Sequence, residues 1–197
     1  MEHQQIFPIA KKILIALQPY CSIINIAGSV RRKQPYCKDI EIVCVPSMET
    51  YSSDLFTTAA RRDAIFIYTV NTLGKRIKGD TLTGKYIQIE LPEGIKLDLF
   101  MPELKDYYRI FAIRTGSAEY AAKVIASAWV KKGLCGSDKG FVRQSDCIKQ
   151  KDGSWKCINE NGTKPPHWKS EQEFFEWLDV PYLSPENREV YTQMEAR

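Results

Sequence analysis

Histidine is nearly missing from this chain: His3 and His167 are the only two in 197 residues. The six cysteines, at positions 21, 37, 44, 135, 147 and 157, contain no C-x-x-C pair. Structural zinc is held by closely spaced Cys and His, so a zinc-built protein is excluded on composition, and the thiols point to a reducing, cytosol-like compartment. Cys147 and Cys157 flank the turn Lys151-Asp152-Gly153-Ser154 and could face each other across a hairpin, which leaves a disulfide there open. Long apolar runs are missing too. No stretch approaches the roughly 18 residues of a membrane span, and Met1-Glu2-His3-Gln4-Gln5 shows no signal-peptide pattern. A soluble, cytoplasmic protein without a membrane partner is expected. Neither sign of charge dominates: Lys and Arg number 28 against 24 acids, a net +4. That balance permits nucleic-acid binding without requiring it. With 44% hydrophobic and 26% charged residues, the composition is that of a globular domain, not a disordered or fibrous chain.

Periodicity gives the elements. Residues 6–18 have helical spacing with Pro8 in the first turn, and 22–27 read as a strand running into Gly28-Ser29. Residues 38–45 form a second strand closed by Pro46. Residues 53–73 read as a helix with Arg61-Arg62 on its polar face and Gly74 as terminator. Lys75–Leu91 reads as a hairpin turning at 80–84, and 95–101 as the next strand. A helix over 118–132 follows Thr115-Gly116-Ser117 and stops at Gly133. A polar hairpin fills 140–160, and a last helix starts at Ser170 with Glu173 completing a capping box. A lobe boundary is placed near 104–112.

The chemistry concentrates in three acids. Residues i and i+2 of a strand share a face, so Asp39 and Glu41 project together while Ile40, Ile42 and Cys44 face the other way. In 95–101, Ile95, Leu97, Leu99 and Met101 share one face and Lys96 and Asp98 the other. If the two strands are neighbours, three carboxylates converge and raise one another's pKa. A divalent cation relieves that repulsion, and oxygen-only ligands select Mg²⁺ or Mn²⁺. Upstream, Gly28-Ser29-Val30-Arg31-Arg32 allows close backbone approach, a hydroxyl and a guanidinium to meet phosphate oxygens. Taken alone, a D-x-E on a strand and a Gly-Ser turn are ordinary surface features; their succession is what points to nucleotide chemistry.

These blocks together resemble the nucleotidyltransferase palm of the polymerase beta superfamily. Arg114-Thr115-Gly116-Ser117 resembles the thumb-entry motif of family X DNA polymerases, and Ser170-Glu-x-x-x-Phe-x-x-Leu178 with Pro181-Tyr182-x-x-Pro185-x-x-Arg188 resembles that family's C-terminal signature. The match covers roughly 20–192 and is similar to the minimal palm-plus-thumb form of the short viral polymerase X. It implies an α+β fold: a nucleotidyltransferase palm with mixed β-sheet and flanking helices over 1–105, and a smaller α/β thumb lobe with a β-hairpin over 106–197. It further implies two Mg²⁺ or Mn²⁺ ions on Asp39, Glu41 and Asp98, with Asp98 drawing the proton from a primer 3′-hydroxyl. Ser29 and Arg32 would hold phosphates, Gly28 and Lys38 would lie beside the triphosphate, and Arg114, Thr115, Gly116 and Ser117 would meet the incoming nucleotide.

The sequence also departs from the family pattern. Glu41 replaces an Asp, Lys38 a glycine, Ile113-Arg114 an aromatic pair that screens the sugar, and Ala118 and Ala121 polar residues that meet the base. Only one helix precedes the palm, so DNA grip is expected from local cations: Lys75, Arg76, Lys78, Lys85 and Lys96 in the palm, and Lys123, Lys131, Lys132, Lys139 and Arg143 in the thumb. Trp155, Trp168, Phe174, Phe175 and Trp177 are expected in the thumb core rather than as base-stacking platforms, and Trp155, beside the hairpin turn, is the one to test for DNA contact. The expected activity is dNTP addition to a primer in short-gap DNA repair by a monomer in a bacterial, prophage or viral setting. A nucleotidyltransferase acting on RNA, protein or a small molecule, and a catalytically degenerate DNA-binding module, are the alternatives.

Overall fold

The computed structural model describes residues 1–52, 58–137, 140–159, 161–162 and 164–189. The chain opens with helix α1, His3–Leu17, whose Ile6, Ala10, Ile13 and Leu17 form a buried stripe at helical spacing. It begins earlier than its apolar pattern, so Pro8 lies inside the helix and not in its first turn. Strand β1, Cys21–Ile26, leads into the single-turn helix α2, Gly28–Arg31, and then β2, Asp39–Pro46.

The helix expected over 53–73 is corrected. Met48–Ser52 (β3) pairs antiparallel with Thr58–Arg62 (β4), and helix α3 is confined to Ala64–Thr72; 53–57 lie outside the described residues. The Asp63 side chain sets the helix start by accepting from the backbone N–H groups of Ile65 and Phe66 at 2.8 and 2.9 Å. Arg62 does not sit on a polar face. It is buried and donates to the carbonyls of Thr81 and Gly84.

The hairpin expected over Lys75–Leu91 is present as β5, Lys75–Lys78, and β6, Tyr86–Glu90, followed by β7, Lys96–Phe100. Five strands form one mixed sheet in the order β1-β2-β7-β6-β5. The central pair, β2 and β7, is parallel and its neighbours are antiparallel. Ile40, Ile42, Cys44, Ile87, Ile89, Leu97 and Leu99 point to one face and form the main core with α1 and α3. On the other face Val43 and Phe100 are covered by Tyr107 and Phe111 of helix α4, Tyr107–Thr115, an element the sequence patterning did not reveal.

The helix expected over 118–132 is one rod built of α5, Ala118–Tyr120, a π-helical stretch, Ala121–Ala126, and α6, Ser127–Lys131. Ser117 Oγ caps it by accepting from Tyr120 N, and Gly133 closes it at φ +74. The single hairpin expected over 140–160 is in fact two: β8, Leu134–Ser137, with β9, Gly140–Arg143, and β10, Cys147–Lys149, with β11, Trp155–Cys157. The turn at Gln144–Asp146 separates them. Cys147 and Cys157 are register partners, yet none of the six cysteines is in a disulfide. Burial pushes the neighbouring Cys135 thiol up to about 12. Helix α7, Glu171–Leu178, starts at Ser170, whose Oγ accepts from Glu173 N, while the Glu173 carboxylate accepts from Lys169 N. Trp168, Phe174, Phe175 and Leu178 pack with Tyr120, Ile125 and Phe141 into a second core, as expected of those aromatics.

Candidate active site

The parallel register of β2 and β7 sets Asp39 opposite Lys96 and Glu41 opposite Asp98. Adjacent strands lie about 4.8 Å apart, so the three acids share one patch. They occupy the same sheet face as Val43 and Phe100, one step beyond the point where α4 covers it. Burial first, then repulsion from Asp98, raises Asp39, against the pull of Lys38 and Arg32. Glu41 is pushed up to about 7 by burial and by Asp39, with Arg114 opposing. Both acids are electrostatically uncomfortable without a cation.

Asp98 has two partners that sequence reasoning missed. Tyr86 Oη donates to Asp98 Oδ1 at 2.7 Å and Gln88 Nε2 donates to the same oxygen at 2.9 Å. Burial, the bond to Asp98 and the Asp98 charge push Tyr86 up to about 12, so its hydroxyl keeps the proton it donates. The signal was present in the alternation Tyr86-Ile-Gln-Ile-Glu, which puts two polar groups on one face. It becomes readable only once Gln88 is known to stand opposite Asp98.

Beside the acids lies a small cavity of about 290 Å³, lined by Ser29, Arg32, Lys38, Asp39, Glu41 and Glu189 among others. Ser29 Oγ is buried without a hydrogen-bond partner. A buried hydroxyl without a partner costs roughly 1–3 kcal/mol unless a ligand oxygen completes it. Arg32 Nη1 donates to the Thr115 carbonyl at 2.8 Å, and its Nε is paired with the Glu189 carboxylate. Gly28, at φ +63, lies against Glu41.

The segment 114–117 divides. Arg114 is exposed, stacks 3.9 Å from the Phe100 ring centroid and lines the larger cleft. Thr115, Gly116 and Ser117 are used within the protein: Thr115 Oγ1 accepts from Arg31, Gly116 makes room for the Tyr120 ring, and Ser117 Oγ donates to the Glu189 carbonyl. Arg31 also forks onto the Glu171 carboxylate at 3.0 and 2.9 Å and stacks on Phe111. Arg188, fully buried, forks onto Glu171 from the other side. Burial alone would raise Glu171, but the two guanidinium groups outweigh it and hold its carboxyl below the ordinary value. Glu171 was legible only as part of a helix-start motif.

The larger cleft, about 660 Å³, runs from Glu41, Asp98 and Tyr86 past Arg114 to Lys85, Lys105, Lys164 and His167. Of the cations expected to grip DNA, Lys85 lines this cleft and Lys96 flanks Asp39 in register. Lys75, Arg76 and Lys78 are exposed on the edge strand β5. Lys131 and Arg143 are exposed, whereas Lys123 is paired with Glu119 and Lys132 with Asp179. Lys139 lies outside the described residues. Lys105 and Lys164 are cleft cations the sequence reading did not single out; Lys105 and Lys85 both pair with the Glu103 carboxylate, at 2.5 and 3.7 Å.

Among the described residues no group of three or more His, Cys, Asp or Glu is gathered as a metal cage. The donor chemistry nevertheless fits a hard cation: three carboxylates with no nitrogen or sulfur among them, two of them raised first by burial and then by a neighbouring acid of the cluster.

Residues 111–189 match the DNA polymerase beta thumb family. The polymerase beta of Leishmania infantum, solved as a ternary gap complex, is similar over 95% of this chain and 70% of its own, at TM-score 0.64 and 18% identity. The C-terminal part is thus similar to a polymerase beta thumb, and the fold of nearly the whole chain to that of a polymerase beta. The mixed sheet with flanking helices is the α+β architecture expected from the sequence, and it is similar to the fold of that polymerase beta. No curated protein matches it in sequence.

Proposed function

We propose that this chain is a DNA polymerase of family X type, adding a dNTP to a primer 3′-hydroxyl and releasing pyrophosphate, with short gaps in duplex DNA as its substrate. Residues 1–105 would act as palm and 106–197 as thumb. The observation that carries the reading is the convergence of Asp39, Glu41 and Asp98 on one sheet face, with Glu41 and Asp98 lining the 660 Å³ cleft and Asp39 and Glu41 lining the smaller cavity with Arg32 and Ser29, whose buried hydroxyl is unpartnered.

Asp39, Glu41 and Asp98 would hold two Mg²⁺ ions, which when bound supply Lewis-acid activation of the attacking hydroxyl and charge neutralisation at the leaving phosphates. Asp98 would take the 3′-hydroxyl proton as the new O–P bond forms and the bond to pyrophosphate breaks. Ser29 Oγ would donate to a phosphate oxygen and complete its own hydrogen bonding. Arg32 would exchange Glu189 for phosphate. Arg114, lying on Phe100, would border the sugar, and the cleft cations Lys85, Lys105 and Lys164 would follow the DNA backbone.

Labelled dNTPs and NTPs, offered with a one-nucleotide-gapped duplex and without any template, test the substrate class. Incorporation of the templated dNTP into the gap is expected. Equal incorporation without template would assign the chain to a different nucleotidyl transfer.

A further inference from the structure

Asp98 sits on β7 between two strands of opposite character. On one side β2 presents Asp39 and Glu41; on the other β6 presents Tyr86 and Gln88. Both β6 side chains donate to a single oxygen, Oδ1. A carboxylate so held is drawn by one oxygen toward β6, which leaves Oδ2 free of these two donors. The rotation of a free aspartate about its terminal torsion is broad and two-fold, and two donors on one oxygen remove that freedom.

We infer that Tyr86 and Gln88 are positioning residues for nucleotidyl transfer: they fix the Asp98 carboxylate so that Oδ2 is the oxygen presented to the reaction. The inference rests on the function proposed above for Asp98. Tyr86 is itself held in place, its ring stacked on Phe100 at 5.1 Å between centroids. Phe100 in turn carries Arg114, so the hydroxyl belongs to a packed unit and not to a mobile surface side chain. A polar residue on β6 facing an acid on β7 could serve stability alone. Both donors converging on one oxygen, with both residues at the cleft side of the sheet, favours a role in orientation.

The test is single-nucleotide gap filling by the full chain, with kcat and the KM for dNTP measured separately for wild type, Tyr86→Phe, Gln88→Met and the double variant. Phenylalanine keeps the stacking on Phe100 and methionine keeps the Gln88 volume, so melting temperatures report any loss of folding. A roughly ten-fold or larger fall in kcat for each single variant is expected, the scale of one hydrogen bond to a charged group. KM and melting temperature should stay near wild type, and the double variant should fall further. An active wild type whose single variants keep its kcat overturns the inference alone. So does a kcat loss matched by a parallel rise in KM and fall in melting temperature, since that is a structural effect. A wild type that fails to extend overturns the proposed function as well.

Discussion

Gly28 lies directly against the carboxylate of Glu41: a Cβ at position 28 would stand 2.1 Å from Glu41 Oε2. With its φ of +63, the position penalises any side chain twice, by backbone conformation and by collision with an acid of the cluster. Gly28→Ala is therefore expected to lower kcat about ten-fold or more, roughly 1.4 kcal/mol, because Glu41 must move. Comparison with Gly94→Ala, where a Cβ meets nothing within 4 Å, separates backbone strain from displacement of Glu41. Equal effects of the two substitutions would contradict this role for Gly28.

Glu171, at the start of α7, ties Arg31 of α2 to Arg188 of the C-terminal segment. Removing the charge from this buried triad leaves two guanidinium groups uncompensated, at a cost of about 3–5 kcal/mol. Glu171→Gln should melt well below wild type at neutral pH. Because the folded-state pKa of Glu171 lies below its ordinary 4.5, its stabilisation is fully present above about 4.5 and is lost as pH falls through the folded value. Melting curves from pH 7 to 3 should show the gap between wild type and Glu171→Gln narrowing towards the acid end. A gap constant with pH would mean that the triad is not the source.

Glu189 occupies the guanidinium that a phosphate would need. Glu189→Ala should lower the KM for dNTP a few-fold, since a partly exposed ion pair is worth roughly 0.2–1 kcal/mol, and leave kcat alone. Arg32→Ala should raise that KM. If Glu189→Ala raises KM instead, the carboxylate supports the site and does not compete for it.

The three cleft cations give a salt signature. Substituting Lys85, Lys105 or Lys164 by alanine should weaken binding to gapped DNA and reduce the salt slope of log K by about one for each phosphate left without its cation. Lys132, paired with Asp179, does not line the cleft and should leave the slope unchanged, whereas Lys85 and Lys105 share the Glu103 carboxylate and exchange it for phosphate. Fluorescence anisotropy across a salt titration would report it, and a slope indifferent to all three cleft lysines would place the DNA elsewhere.

The sheet and its acids were legible because period-2 alternation fixes faces: Ile40 and Ile42 inward forces Asp39 and Glu41 outward, and Leu97 and Leu99 do the same for Asp98. Partners across strands were not legible, since nothing local in Tyr86-Ile-Gln says which strand lies beside it. The region from 53 to 73 misled because Arg61-Arg62 reads as a polar helix face, whereas Arg62 is satisfied by carbonyls about twenty residues away. Helix α4 was missed because it is buried on more than one side: Tyr107 and Phe111 meet the sheet while Ala112 meets the second core, so no clean stripe appears. In the second half, the capping residue Ser170 was readable because a cap is a local device. The Arg31–Glu171 pair, 140 residues apart in sequence, was not.

Extension of a primer across a one-nucleotide gap in the presence of Mg²⁺, by wild type, Asp39→Ala and Asp98→Ala side by side, tests the assignment of the acid cluster most directly. The expected result is extension by the wild type and loss of about a thousand-fold or more in each variant, on the scale of losing a positioned charge at the reacting centre, with DNA binding and melting temperature retained. Extension at wild-type rate by either variant would contradict the assignment of these acids to catalysis.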